Sequence, residues 1–213
     1  MGAARGAAAK APRPLRADAQ RNREAVLLAA REVFEADGVL APLDGIALRA
    51  GVGNATLYRN FPTRDDLLAA VMESGIGTAL AEAAELSRSL SPRAALAEWL
   101  VRLTWQLRIW HDLPYCVATA YDDPESPLYS ACNPLLVQTG VLLDAAKSSG
   151  DAADTVTRDE VFELITTLSW GVDRFGDDEP AGRRRVEVGT AGIFVRGAGE
   201  PRRDPGRMPG SLR

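Results

Sequence analysis

Histidine and cysteine are nearly missing from this chain: His111 stands alone, and Cys116 and Cys132 are the two thiols among 213 residues. Two cysteines 16 positions apart have neither metal-ligand spacing nor a partner pattern. They read as reduced thiols in or near a core, with a redox switch as the lesser alternative. A Ser-His-Asp or Cys-His triad would have to use His111. That residue precedes Asp112-Leu113-Pro114 at an expected helix end, where a cation complements the helix dipole, so capping is the reading adopted. No His/Cys cluster suggests a metal site, and no Gly-rich strand-to-helix turn suggests a nucleotide loop. Neither catalysis nor a cofactor is expected. No uninterrupted apolar run approaches the ~18 residues of a membrane span. The opening MGAARGAAAKAPRPLR has no apolar core followed by a cleavage site, so it reads as a disordered basic leader and the expected location is cytoplasmic.

The net charge of −4 conceals a division. Residues 1–64 hold ten Lys/Arg against six acids, or +4, while the remainder holds 15 basic and 23 acidic residues, or −8. A basic head on an acidic body suits a protein that grips phosphate at one end.

The segment DGVLAPLDGIALRAGVGNATLYRNF, residues 37–61, says most about function. Leu43, Ile46, Ala47 and Ala50 share one face of a short helical pattern, and Leu57, Tyr58 and Phe61 share another. Ala50-Gly51-Val52-Gly53 separates them. A glycine between two short amphipathic helices suits a helix-turn-helix, whose corner needs a positive φ that a Cβ opposes. The second helix then offers Asn54, Thr56, Tyr58, Arg59 and Asn60 to base edges and phosphates. Arg21 and Arg23, near the start of the first helix, are placed to reach phosphate, the bland alternative being solvated charge.

The run IALRAGVGNATLYRNFPTRDDLL resembles the DNA-binding signature of the TetR (tetracycline-repressor-like) transcriptional regulators, roughly I-A-x-x-A-G-V-x-x-x-T-[LI]-Y-x-H-F-x-x-K-x-x-L. Ile46, Ala47, Ala50, Gly51, Val52, Thr56, Leu57, Tyr58, Phe61 and Leu67 fall at matching places. Asn60 stands where most members have His, and Arg64 where many have Lys; each keeps a hydrogen-bonding or cationic group. Pro42 and Gly45 depart from the usual start of the first helix. The resemblance spans about residues 18–73. It implies DNA contacts from Arg21, Arg23, Gly53, Asn54, Thr56, Tyr58, Arg59, Asn60 and Arg64, with Tyr58 at the phosphate backbone. It also implies a homodimer on double-stranded operator DNA, with two recognition helices in successive major grooves and an internal effector pocket in the body.

The rest of the chain reads as helical throughout. Ala19–Asp37 forms a first helix with Asp18 as N-cap and Gly38 as its stop. Thr63 with Asp66 resembles a capping box opening a long helix toward Leu86, in which Gly75 and Gly77 suggest a bend. Ser91-Pro92 opens a helix to about His111, Ser126-Pro127 a short one to Ala131, and Asn133-Pro134 another to about Ser148. Thr157 with Glu160 caps a helix through Phe175, and Asp177-Asp178-Glu179-Pro180 starts a final helix to about Val195. The expected fold is all-α. Residues 1–17 are a disordered leader, 18–64 a three-helix DNA-binding head, 65–197 a ligand-binding and dimerisation body, and 198–213 a disordered tail.

The body's large aromatics are either core or pocket lining. The residues assigned to a pocket are Trp99, Leu103, Gln106, Trp110, Tyr115, Tyr121, Phe162, Thr166 and Trp170, with His111 a further polar possibility. Dimerisation falls to the last two long helices, through Val161, Ile165, Leu168, Val172, Val186 and Ile193 in a four-helix bundle between subunits. The reading is a ligand-responsive regulator, a repressor released by a small-molecule effector. The rival is a small-molecule-binding or helical interaction protein whose head no longer reads DNA.

Overall fold

A computed structural model describes residues 13–195. Helix α1 (Arg13–Asp37) runs into α2 (Leu43–Arg49) and α3 (Asn54–Asn60), which together form the head. The body follows: α4 (Arg64–Ser89), α5 (Pro92–Leu107), α6 (Leu113–Tyr121), α7 (Pro127–Ser148), α8 (Arg158–Phe175) and α9 (Glu179–Gly189), then a 3-10 turn (Ala191–Ile193). Among the described residues no strand forms, and one antiparallel bridge pairs Ala152 with Phe194.

In the head, Val26, Ala29, Ala30, Val33 and Phe34 recur at helical spacing on α1 and are buried. They meet Ile46 and Ala47 of α2 and Leu57 of α3 in one continuous core with Leu67 and Leu68 of α4. The helix begins at Arg13, so Asp18 lies within it and pairs with Arg21 rather than capping it. Of the expected leader, residues 13–17 belong to α1, and residues 1–12 lie outside the described residues, as does the expected tail from 198 onward.

Both capping boxes form. The Thr63 side chain accepts from the Asp66 amide while Asp66 accepts from the Thr63 amide, and Thr157 and Glu160 do the same for α8. Ser91-Pro92 and Ser126-Pro127 open α5 and α7 as their spacing indicates. Three expectations fail. Asn133-Pro134 starts no new helix: Pro134 sits inside a continuous α7, which packs heavily on α4 and lacks one backbone bond there. Helix α5 ends at Leu107 and a separate α6 begins at Leu113. Helix α9 stops at Gly189, short of Val195. Helix α4 is continuous through Gly75 and Gly77, and Gly75 leaves room for Gln106, whose Nε2 would lie 2.9 Å from a Cβ there.

Helix α4 is long and apolar enough by composition to cross a membrane, but it packs between α1, α5 and α7, with Leu67, Leu68, Val71 and Met72 buried against them. Helix α9 lies close on the body because Gly182 and Gly189 carry no side chain: a Cβ would come within 2.8 Å of Trp105 and of Leu168 respectively.

Candidate DNA-binding face and effector cleft

The α2–α3 corner is built as a helix-turn-helix requires. Gly51 adopts φ +68°, and the Val52 amide returns to the Ala47 carbonyl at 3.0 Å. Gly53, extended at φ −74°, leads into α3 and contributes no side-chain cap. Leu57 is fully buried and Phe61 closes the helix from below, so α3 has one face fixed in the core. Its opposite face presents Asn54, Tyr58 and Arg59 to solvent, with Tyr58 44% exposed.

The other residues assigned to DNA sit differently. Thr56 is half-buried, and Asn60 turns back so that Nδ2–H donates to the Thr56 carbonyl at 2.8 Å. Arg23 lies over the Phe61 ring, its guanidinium carbon 5.3 Å from the centroid, while Arg21 is exposed and paired with Asp18. Arg64 points inward: its Nη1–H donates to the carbonyl of Val39 and, at 2.9 Å, to that of Ala41. Both carbonyls belong to buried residues of the α1–α2 loop, so this cation is engaged in holding that loop.

In the body, a cleft of about 510 Å³ opens between α6 and α8. Tyr115, Tyr121, Phe162, Thr166 and Trp170, all assigned to a pocket from sequence, line it together. Asp122, Glu163 and Thr167 line it too and were not expected: Asp122 ends α6, which was not legible, and Glu163 and Thr167 read as the polar positions of α8. Tyr121 stacks on Phe162 with centroids 6.0 Å apart, and its hydroxyl donates to Asp159 at 2.8 Å. Burial, that hydrogen bond, and the charges of Asp159 and Glu163 push the phenol well above its usual range.

The remaining four lie elsewhere. Trp99 is fully buried between α5 and α7, where Nε1–H donates to Thr139 at 2.9 Å, and Leu103 is fully buried core. Gln106 faces Gly75 on α4. Trp110, in the α5–α6 connection, packs on Phe34 of α1 with centroids 5.6 Å apart. Trp99, Leu103 and Gln106 of α5 thus serve its packing on α4 and α7, and Trp110 the contact with α1, rather than the cleft.

His111 caps no helix. It occupies the turn before α6, and its ring pairs through Nδ1 with the nearly buried Asp173 of α8 at 2.9 Å. With Asp112 it forms a group whose potential ligand atoms lie within 4.8 Å of one another. An imidazole and two carboxylates could serve a divalent cation, but Asp173 is already engaged by His111 and by the Asp112 amide at 3.2 Å. The cluster ties the turn to α8.

The apolar stripe assigned to dimerisation is the protomer's own core. Val161, Ile165, Val172, Val186 and Ile193 are each at most 4% exposed, and Leu168 packs partly against them. Among the described residues the exposed large apolar side chains of these two helices are instead Trp170 (47%), which lines the cleft, Phe175 (68%) and Val188 (59%), and Leu164 and Leu168 are half-buried.

An exposed recognition helix set at a glycine corner, joined to a helical body, defines a helix-turn-helix DNA-binding protein. The comparisons with known proteins narrow that class. The family model for bacterial regulatory proteins of the tetR family matches residues 26–71. That for the C-terminal domain of SbtR-like transcriptional regulators matches residues 91–195. The chain belongs to the TetR family of transcriptional regulators. A TetR transcription regulatory protein from Mycobacterium vanbaalenii is 30% identical over 85% of this chain and 100% of its own, with a TM-score of 0.46. A TetR transcriptional regulator of Streptomyces coelicolor is 26% identical, covering 81% of this chain and 98% of its own, with a TM-score of 0.52. Thermus thermophilus FadR, a TetR-family repressor solved with lauroyl-CoA, shares the fold at 18% identity and a TM-score of 0.58, covering 84% of this chain and 98% of its own. No curated protein matches the chain.

Proposed function

We propose that this protein is a homodimeric repressor that leaves its operator when a small molecule enters the cleft between α6 and α8. The observation that carries this reading is the connection from cleft to head. Helix α6 forms one wall of the cleft and begins at Leu113, two residues after His111, whose carbonyl accepts from the Val39 amide of the head at 3.0 Å. A shift of α6 therefore pulls on the α1–α2 loop. The effector must bind the DNA-free arrangement more tightly than the DNA-bound one, since equal affinity shifts nothing. The FadR relative binds an acyl-CoA, which supports a body that accepts an organic ligand.

Asn54, Tyr58 and Arg59 of α3 meet the DNA, with Gly53 and Thr56 beside them, and Arg21 and Arg23 reach phosphate from α1. Asn60 and Arg64 act by holding the head in shape. The dimer forms as a four-helix bundle of α8 and α9 from two subunits, through Leu164, Leu168, Phe175 and Val188. On α8 these lie about 100° round the helix from the cleft-lining Glu163, Thr167 and Trp170, so one helix serves both purposes. The protein works in the cytoplasm and has no catalytic role.

Mobility shift of a duplex covering the chain's own upstream region, at rising salt, tests the reading. A dimeric complex whose affinity falls steeply with salt is expected, because released counterions dominate the phosphate contribution. Folded protein that ignores this DNA at low salt would overturn it.

A further inference from the structure

We infer that the cleft between α6 and α8 takes an organic cation with an aromatic or apolar body: a quaternary ammonium, a phosphonium or a protonated lipophilic amine. The inference rests on the effector reading and names the chemistry of that same site. The first support is charge. The charged side chains lining the cleft are Asp122 and Glu163, and no lysine or arginine lines it. Among the described residues neither carboxylate takes part in an ion pair.

The second support is the supply of hydrogen-bond donors. Thr166 and Thr167 give their hydroxyl protons to the Phe162 and Glu163 carbonyls of their own helix, each at 2.9 Å. The Tyr121 hydroxyl is committed to Asp159. The donors left on the wall are the neutral Tyr115 hydroxyl and Trp170 indole N–H, so a phosphate or carboxylate would meet no cationic partner and would face like charge. An acyl-CoA headgroup is a poor match for such a lining.

The third support is the rings. Tyr115, Tyr121, Phe162 and Trp170 border the same space, and an aromatic face attracts a cation through its quadrupole. A cation carrying its own apolar groups gains burial against these rings and Coulomb attraction from the two carboxylates at once.

The test compares two near-isosteric ions of opposite charge, tetraphenylphosphonium and tetraphenylborate, by calorimetry on the intact protein. Saturable phosphonium binding at least about tenfold tighter than borate binding is expected. Glu163→Gln and Asp122→Asn, both at exposed positions and checked by circular dichroism, should each reduce that preference, and the double variant should reduce it further to the smaller part the rings supply. Borate binding as tight as phosphonium, phosphonium failing to bind, or a preference undiminished in the double variant overturns the inference. Displacement of bound DNA is read separately. Phosphonium that binds in a Glu163-dependent way but leaves the DNA complex intact sinks the effector reading while the cation site stands. DNA release by lauroyl-CoA, with no binding of phosphonium, overturns the cation site and leaves the effector reading intact.

Discussion

The amide of Val39 in the head donates to the carbonyl of His111 in the body at 3.0 Å, and each partner sits beside a residue with positive φ. Gly38 has φ +80° and Asp112, the one non-glycine of this kind among the described residues, has φ +63°. A left-handed conformation costs an ordinary residue roughly 1–2 kcal/mol, and here Asp112 is held by its amide bonding to Asp173. The two turns press together so closely that a Cβ on Gly38 would lie 3.2 Å from the His111 carbonyl and 3.3 Å from its Cβ. The junction between head and body is thus a contact between two left-handed turns, of which the Asp112 turn carries the strain.

Gly38→Ala follows from that contact. It adds the left-handed penalty of about 1–2 kcal/mol and forces His111 to move. Thermal unfolding should shift down by several degrees, and operator affinity should fall although no DNA-facing side chain has changed. Unaltered melting and unaltered DNA binding would show that the junction tolerates a side chain and does not couple head to body.

Two classes of head variant should separate. Tyr58→Ala and Arg59→Ala remove exposed groups from α3, so DNA affinity should drop while melting stays constant. Loss of a phosphate contact should also reduce the salt slope by ~1. Arg64→Ala should act the other way round. It leaves the buried Val39 and Ala41 carbonyls short of a donor, which costs about 1–3 kcal/mol and lowers the melting temperature. If Arg64→Ala melted like the parent and merely weakened DNA binding, this cation would be a phosphate contact after all.

The head was readable from sequence because its rules are local. Gly51 at the corner and the Thr63–Asp66 box each involve residues within a few positions of one another. What failed depended on distant partners. Nothing near Ile165 in sequence says whether its face meets its own α5 or a second subunit, since either burial yields the same apolar spacing. Helix α6 was missed because Leu113-Pro114 follows a left-handed Asp112 that no side-chain cap announces. With α6 absent, Asp122 could not be placed opposite Glu163, and the cleft's charge stayed hidden.

Acid should weaken the clamp between α5 and α9. Glu98 accepts from Arg183 at 2.8 Å and from Arg102 at 3.1 Å, and the Arg183 hydrogen bond leads in holding its carboxyl below the usual 4.5. A lowered folded-state pKa contributes stability that is present above the unfolded value and is lost as pH falls through the folded one. Glu98→Gln should therefore cost about 0.5–1 kcal/mol at pH 7 for this part-exposed group, and the gap to the parent should close below pH ~4.5. A gap that does not narrow at all as pH falls through the carboxylate range would assign the loss to packing.

Both thiols should be inert in the folded protein. Burial pushes Cys116 up to about 11 and Cys132 to about 12, leaving very little thiolate at neutral pH. A chromogenic disulfide reagent at pH 8 should label neither within minutes, and both after unfolding in guanidinium. Rapid labelling of native protein would revive a redox role.

The dimer prediction turns on two substitutions of the same kind at positions of opposite exposure. Phe175 is 68% exposed at the end of α8, so Phe175→Asp removes from its own subunit little beyond the contact with Arg185, whose guanidinium carbon lies 4.9 Å from the ring centroid. In a bundle of α8 and α9 from two subunits it places a carboxylate in an apolar interface, at a cost of several kcal/mol. The variant should be monomeric by light scattering, helical by circular dichroism, and weak on the full operator, because each head must then bind its half-site without the effective concentration that linkage supplies. Ile165→Asp buries the same charge in the protomer's own core, where Ile165 is 0% exposed. It should lose helical signal rather than dissociate cleanly. A Phe175→Asp protein that stays dimeric would move the interface off this face of α8.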